Sequence, residues 1–495
     1  MHATQPSQRP LPSEIYVPRT MPKVLGTFDM TATLVLAIYA IAIVPTAVSG
    51  GAGAYLYWLI GAVFFLIPCA VATAQLGVML PYEGSLYNWA YHALGRFWSF
   101  FVGLCSWLPG PIVIVGIGVL FVQICQGLNP SWLTESWQQG LVILIVIVAS
   151  TLLSLQRFGV VQKIVNAAFV CGLLGTLILV MSALIWLLSG HHSATNLADW
   201  HAITPNTYSL YGIITFAYIG INLVLNMGGE IKTPRQSIPR HVLWGSLIVF
   251  CCYLAAMTAI LVVQGSKASF VTYAIISTVD LAFGKWGGNV AAVLFLTMTI
   301  PGAAIYNYAY ARLLMVGGID HVLPSRMARL NRHRVPSSAV VFQAWFATAF
   351  TLLIFVALPY LSGSVKDAAN ISAALYYISQ AAATLIWAIS ILFLFIILLF
   401  LRRRNPALFQ QVRLFPPFVL WGCVVLGSIA IVVAMVNTLL YSWISPIANQ
   451  QWFFIVGGLT LVCLLVAGVV SFLATGQADW ETMSEEVRSS SVPPA

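Results

Sequence analysis

Residues Phe216–Arg240 read FAYIGINLVLNMGGEIKTPRQSIPR, and the stretch changes character halfway along. Its first part is apolar and uncharged, interrupted by Gly220, Asn222 and Asn226. Its second part opens at Glu230 and carries Lys232, Arg235 and Arg240 among Pro234 and Pro239. The first part, with the residues before it, makes a membrane span over about 208–228. Glycine tolerates backbone angles a helix does not use, so Gly220 predicts a break inside that span. The basic residues that follow are the mark of a cytoplasmic loop.

The rest of the chain repeats this alternation. Only 7% of its 495 residues are Asp, Glu, Lys or Arg and 60% are hydrophobic, whereas an ordinary soluble domain carries about 25% charged residues. Twelve apolar runs are long enough to cross a bilayer as helices, approximately 30–50, 55–79, 97–126, 138–155, 164–189, 208–228, 242–264, 286–316, 337–361, 371–401, 417–441 and 451–475. With the N-terminus inside, 19 of the 22 Lys and Arg residues fall on the cytoplasmic side, and Lys267, Lys285 and Lys366 fall outside. An invented or missing span would scramble that asymmetry, so the expected topology is twelve helices with both termini cytoplasmic, in the cytoplasmic membrane. The expected organisation is a cytoplasmic tail over 1–25, a transporter domain over 26–475 and a polar cytoplasmic tail over 476–495. The two tails, including Met1–Arg19, read as disordered or loosely surface-bound. The first 25 residues hold no apolar core, so no cleavable signal peptide is expected.

Several functional classes are disfavoured. The eight cysteines all lie in apolar runs, with neither a disulfide framework nor thiolate metal spacing. His191, His192 and His201 sit in one outer loop without Cys or paired carboxylates, so a polar loop is the simpler reading than a metal site. The net charge of +9 is spread between apolar runs and reads as a topology signal, not a nucleic-acid patch; Arg402, Arg403 and Arg404 face anionic lipid. No P-loop, HExxH or clustered Asp/His/Ser constellation points to an enzyme, and no cofactor is expected.

Four spans are interrupted: span 1 at Pro45 and Ser49-Gly50-Gly51, span 3 at Pro109-Gly110-Pro111, span 6 at Gly220, and span 8 at Pro301-Gly302. Spans 1 and 6 are five apart, as are 3 and 8, which is what a five-plus-five inverted repeat produces. Simple kinks are the alternative. The repeats would cover about 26–190 and 205–402, with two further helices over about 417–475.

The stretch Phe216–Asn222 followed by Glu230-Ile231-Lys232-Thr233-Pro234 and Ile238-Pro239 resembles the sixth-helix signature of the amino acid–polyamine–organocation (APC) superfamily. Two further stretches agree. Arg312, Gly318, Asp320, Leu323-Pro324, Asn331 and Val335-Pro336 resemble the loop after helix 8, and Pro81–Trp89 resembles the loop after helix 2. The nearest branch by eye is the glutamate/γ-aminobutyrate antiporter-like group. The resemblance implies an all-α carrier with broken helices 1 and 6, two extra C-terminal helices, and a central site between helices 1, 3, 6, 8 and 10. Half-helix ends there supply N–H groups for a carboxylate and carbonyls for an ammonium. The candidate substrate-binding residues are Tyr39, Ile41, Pro45 and Thr46 on helix 1 and Phe216, Tyr218, Gly220 and Asn222 on helix 6; packing is the alternative for each aromatic. Glu230 and Arg312 are candidate partners in an inner gate, the alternative being a solvated Glu230. The sequence departs from the family pattern at helix 1, which lacks the usual glycine-rich break, at Asn222, where many relatives carry an acid, and at Asn166, where many carry a lysine, with Lys163 one turn before.

None of the 13 acidic residues, and no Lys or Arg, falls mid-span. A proton relay, a cation site or a dicationic substrate would each want a buried carboxylate. The expectation is an exchanger or facilitator of amino acids or related small amines and zwitterions. A proton- or sodium-coupled symporter stands as the alternative, with Thr297 and Thr299 as candidate sodium ligands, and a sensor or channel as a further one.

Overall fold

The computed structural model describes residues 10–200, 207–271, 273–361, 367–444 and 447–490; Arg9, His201 and Lys366 lie outside them. The described chain is helical, with two isolated β-bridges, Leu25 with Ile231 and Leu330 with Pro336. In chain order the helices are α1 (Pro12–Thr20), α2 (Thr27–Ile38), α3 (54–79), α4 (Leu86–Leu94), α5 (Arg96–Leu128), α6 (Ser136–Ser154), α7 (Phe158–Leu188), α8 (Ser209–Ala217), α9 (Pro234–Val263), α10 (Ala274–Ile319), α11 (Ser337–Leu361), α12 (Ala368–Arg404), α13 (Pro406–Gln411), α14 (Pro417–Leu440) and α15 (Asn449–Ser490).

Among the described residues, ten helical stretches are long and apolar enough to cross a membrane. One of them, Thr27–Met79, is 53 residues long; unbroken, it would reach about 80 Å, far more than the ~30 Å of a hydrocarbon core. It is interrupted at Tyr39–Ile43 and again at Gly51, whose φ of 57° suits a residue without a side chain. The span read from sequence at 208–228 is not among the ten, because it is split into α8 and a 3₁₀ segment, Leu223–Glu230.

The surface is inverted relative to a water-soluble protein. On α6, Leu141, Ile145, Val148 and Leu152 recur at steps of four, three and four and stand exposed. Ser150 and Ser154 on the same helix are buried, donating to Ile147 and Ser150 carbonyls at 3.0 and 2.6 Å. A stripe of exposed apolar side chains is stable against lipid tails, and serines that back-bond to their own helix carry no unmet polarity inward. The core is organised about α10, which packs on α5, α6 and α7. Close approach there rests on small residues: a Cβ on Gly172 of α7 would lie 2.5 Å from Met298 Sδ, and one on Gly110 of α5 would lie 2.4 Å from the Tyr310 ring.

The terminal segments differ from their sequence reading. Residues 12–20 form α1, docked by buried Leu11, Ser13 and Val17, and the Ser13 amide and hydroxyl both donate to Asp320 at 2.9 Å. Composition was misleading because only a few residues of this short helix carry the docking. At the other end, α15 continues as helix past Gly476 to Ser490.

Candidate functional site

Two interrupted helices meet at the centre. Helix α2 stops at Ile38; Tyr39 and Ala40 adopt ψ near 80°, and Ile41–Ile43 form a 3₁₀ turn before Pro45. Proline has no N–H to return to the preceding turn, so the chain cannot simply continue the α-helical ladder here. Helix α8 stops at Ala217, and Gly220 follows with φ of 108°. The carbonyls left by both breaks converge on α9. The Tyr253 hydroxyl lies 2.7 Å from Ile38 O and 3.2 Å from Ala217 O, and it accepts from the Ala40 N–H at 2.9 Å. From α10, the Tyr306 hydroxyl donates to Ala37 O at 2.7 Å. In a membrane interior such carbonyls have no water to turn to, so these two tyrosines set where the breaks can form.

A cavity of about 930 Å³ opens beside the breaks. Its walls come from 36–43, from Val113–Gln123 of α5, from α8, from Phe295–Tyr306 of α10 and from Tyr376–Trp387 of α12, and its rim includes Ser269, Ser442, Trp443 and Asn449. Among the described lining residues there is no Asp, Glu, Lys, Arg or His. Polar groups are sparse: Thr46, Gln123, Thr299, Gln380, Thr384, four serines, Asn449, the tyrosines and the indoles. The Trp387 Nε1–H is buried with no hydrogen-bond acceptor among the described residues. The arrangement is a half-apolar pocket with a few convergent polar atoms beside two helix breaks, suited to a small solute without strong net charge.

The charged chemistry lies further along α10. Arg312 is six residues beyond Tyr306, about 9 Å of helix rise away. Its guanidinium is buried; Nε and Nη2 reach Glu230 Oε1 at 2.8 and 2.5 Å, Nη2 also donates to Tyr308 OH at 2.7 Å, and Glu83 Oε1 lies 3.7 Å from Nε. The Tyr308 ring sits under the guanidinium, 4.5 Å from its centroid. Glu83 and Glu230 are both buried. Burial raises the Glu83 carboxyl to about 8, the adjacent Glu230 charge adds to this, and Arg312 and the Gly229 N–H oppose it. The segments bearing the two acids are tied together: the Gly84 N–H donates to Asn226 O at 3.1 Å, Ser85 Oγ to Asn226 Oδ1 at 2.6 Å, and the Gly229 N–H to Glu83 Oε2 at 2.6 Å. The same face carries α1, whose Glu14 meets Asn88 Nδ2 and His92 Nε2, each at 2.6 Å.

Of the residues singled out from sequence, Tyr39, Ile41, Thr46 and Phe216 line the cavity. Pro45 lines a smaller adjoining pocket of about 160 Å³. Tyr218 is turned toward α3, its ring 5.4 Å from that of Trp58. Gly220 packs under Trp387, and Asn222 is buried with its Oδ1 unpartnered among the described residues. Glu230 and Arg312 meet directly. Asn166 donates to Asp29 Oδ1 at 2.7 Å, and the hydroxyls of Thr297 and Thr299 donate to their own helix at Leu294 O and Leu296 O. Sequence reading did not single out Tyr253, Tyr306, Trp387 or Tyr376. Tyr306 lies five residues after the Pro301-Gly302 interruption, which was a usable pointer; Tyr253 sits in an unbroken apolar run and had none.

The sequence has counterparts among known proteins. Residues 24–440 match the family model described as amino acid permease. An uncharacterized transporter of Legionella pneumophila is 22% identical over 73% of this chain and 81% of its own length. A serine/threonine exchanger of Bacillus subtilis is 24% identical over 60% of this chain and 67% of its own, and a probable polyamine transporter of Arabidopsis thaliana is 22% identical over 78% and 76%. With paired helix breaks beside an uncharged cavity, and a family match that covers most of its length, the chain belongs to the amino acid permease family of the APC superfamily, a family of membrane transporters and not of enzymes.

Proposed function

We propose that the protein exchanges or facilitates the passage of small neutral amino acids or related amines across the cytoplasmic membrane by alternating access. The observation that carries this reading is the uncharged cavity at the junction of two broken helices. A zwitterion's two charges cancel at a distance but each needs a local partner, and the ends of interrupted helices supply both kinds. A dication would bring charge that this cavity does not balance. The aromatic walls, including Tyr306, Tyr376, Tyr377 and Trp387, favour the ammonium group as the second contact.

Twelve crossings in a five-plus-five repeat are the architecture we infer. The ten long helices, the interruption of the 53-residue run and the split sixth span support that count. The excess of Lys and Arg on the face bearing Arg312 and α1 supports a cytoplasmic location for it. On that orientation the cavity rim at Ser269 and Ser442 faces outward, and the Glu83–Glu230–Arg312 cluster closes the inner side.

The test is counterflow of radiolabelled L-serine and L-threonine into proteoliposomes preloaded with the unlabelled amino acid. Uptake that rises with preloading is expected. Uptake that depends strictly on an imposed proton or sodium gradient, with no stimulation by preloading, would replace this reading with the symporter.

A further inference from the structure

Three ionisable groups lie buried together at the closed end of the molecule, and their charges do not balance. Arg312 supplies one positive charge, and Glu83 and Glu230 supply two carboxyl groups within its reach. Glu230 takes the short contacts to the guanidinium. Glu83 stands at 3.7 Å and relies on the Gly229 N–H. Glu83 Oε1, Glu230 Oε2 and Arg312 Nη1 have no hydrogen-bond partner among the described residues. A net negative charge in a site that excludes water is costly, whereas one proton makes the trio neutral. Three other ionisable groups on this face have partners. Glu14 is directed at Asn88 and His92, Asp320 accepts from Ser13 and Tyr87, and Tyr308 receives the Arg312 Nη2 bond.

We propose that Glu83 is a proton-binding switch: a proton on Glu83 holds the inner gate closed, and its release to the cytoplasm favours opening. The inference rests on the orientation and alternating-access reading given above and extends it to regulation. The cluster lies beyond the cavity floor along α10, so the proton enters and leaves from the inner face and does not travel with the solute. The carboxylates ride on segments 81–85 and 226–230, which are bonded to each other, and the guanidinium projects from α10. Parting these bodies admits water to Glu83, which then takes up an ordinary carboxyl affinity near 4.3.

The sign follows from linkage. The closed state binds the proton more tightly, with Glu83 raised to about 8, so closure is favoured at low pH and weakened as pH rises toward that value. Asp320, pushed up to about 6 by burial against its bonds from Ser13 and Tyr87, titrates on the same face. A window from pH 6.5 to 8.0 lies above Asp320, and the Glu83→Gln chain reports what other groups contribute within it. Across it the opening equilibrium is expected to rise on the order of 15-fold in the native chain and less than about 2-fold in Glu83→Gln.

The experiment is hydrogen–deuterium exchange of the full chain in lipid nanodiscs. Amides of residues 223–232 are followed against pH, normalised to intrinsic exchange, in the native protein and in Glu83→Gln. A rise in the native protein that the substitution flattens supports the switch. A flat native profile overturns it, as does the same rise in Glu83→Gln, and the native titration stands alone if the variant does not fold. Counterflow of L-serine and L-threonine is run on the same preparations. Titration without counterflow removes the exchanger reading and leaves the switch; counterflow without titration does the reverse. Proton flux in step with L-serine exchange, read with an entrapped pH dye, would overturn the switch in favour of proton coupling.

Discussion

Replacing Tyr253 with phenylalanine removes one oxygen and leaves the ring. The ring stacks on Trp58 at 4.4 Å and meets Tyr39 and Tyr218 edge-on at 5.2 and 5.8 Å, so Tyr253→Phe opens no cavity. What it removes is the shared partner of both helix breaks. Ala217 O loses its donor, and Ile38 O keeps only the tight contact from the Ala40 N–H at 2.7 Å. A buried polar group left unpaired costs about 1–3 kcal/mol, so the substitution is expected to destabilise by roughly 2–4 kcal/mol, with Ile38 O at the low end because it keeps one partner. The assay is thermal unfolding of purified protein in a single detergent, where a fall of several degrees is expected. Tyr218→Phe is the matched control. It is as buried, but its hydroxyl makes only a 3.4 Å contact to Trp58 O, so its loss is expected to be under about 1 kcal/mol. If the two variants unfold together, Tyr253 does not hold the breaks, and the account of how they are positioned fails.

Three further outcomes follow from other sites. Gly220→Ala places a Cβ 3.2 Å from the Trp387 ring at a φ of 108°, a strain of about 1–3 kcal/mol, and counterflow of L-serine is expected to fall by at least about tenfold. Arg312→Met strands two buried carboxyls and is expected to cost about 3–5 kcal/mol in thermal or denaturant unfolding, with much of the loss restored when Glu83→Gln and Glu230→Gln are added. Docking of α1 is expected to loosen with rising pH. Asp320 binds its proton more tightly when buried, near 6, than when freed, so docking weakens as pH climbs through that value. Normalised to the Asp320→Asn chain, tryptic cleavage after Arg19 and Lys23 is expected to rise about tenfold between pH 5 and 7.

The legible part of the fold was the part set by solvent. Apolar runs and basic loops respond to the bilayer, and each can be read locally. The same holds for Gly220, because a helix break needs a residue that tolerates positive φ. Side-chain direction was not legible. Tyr39 and Tyr218 look equivalent in sequence, each beside a break, yet one lines the cavity and the other turns to Trp58. Rotation about a helix axis is fixed by neighbours far away in the chain, and Tyr253 is the extreme case, placed by two breaks 36 and 215 residues distant. Glu230 and Arg312 stood at span ends on one predicted face, which is why sequence offered them as partners, and their side chains meet. Glu83 was seen in its loop but not as the third member, since that depends on how the loop folds onto Gly229.

The separation of charge from the cavity has an energetic logic under the proposed cycle. A carrier must break and remake its closed contacts at every turnover, so they must differ between states by only a few kcal/mol. An ion pair broken at mid-membrane would leave two charges without water, a cost of several kcal/mol for each. Arg312 and Glu230 sit beyond the cavity floor, near the face that carries α1, where parting them admits solvent. The bond can then be strong when closed and inexpensive to rehydrate when open. The cavity walls stay neutral throughout, so an emptied site carries no uncompensated charge on its return. On this reading, moving an acid to the position of Asn222 is the informative perturbation. Asn222→Asp would place a carboxylate in a fully buried setting beside Gly220, and the reset of the empty carrier is expected to slow while counterflow persists. Net efflux of preloaded L-serine, compared with its exchange, separates the two steps; equal slowing of both would refute the argument.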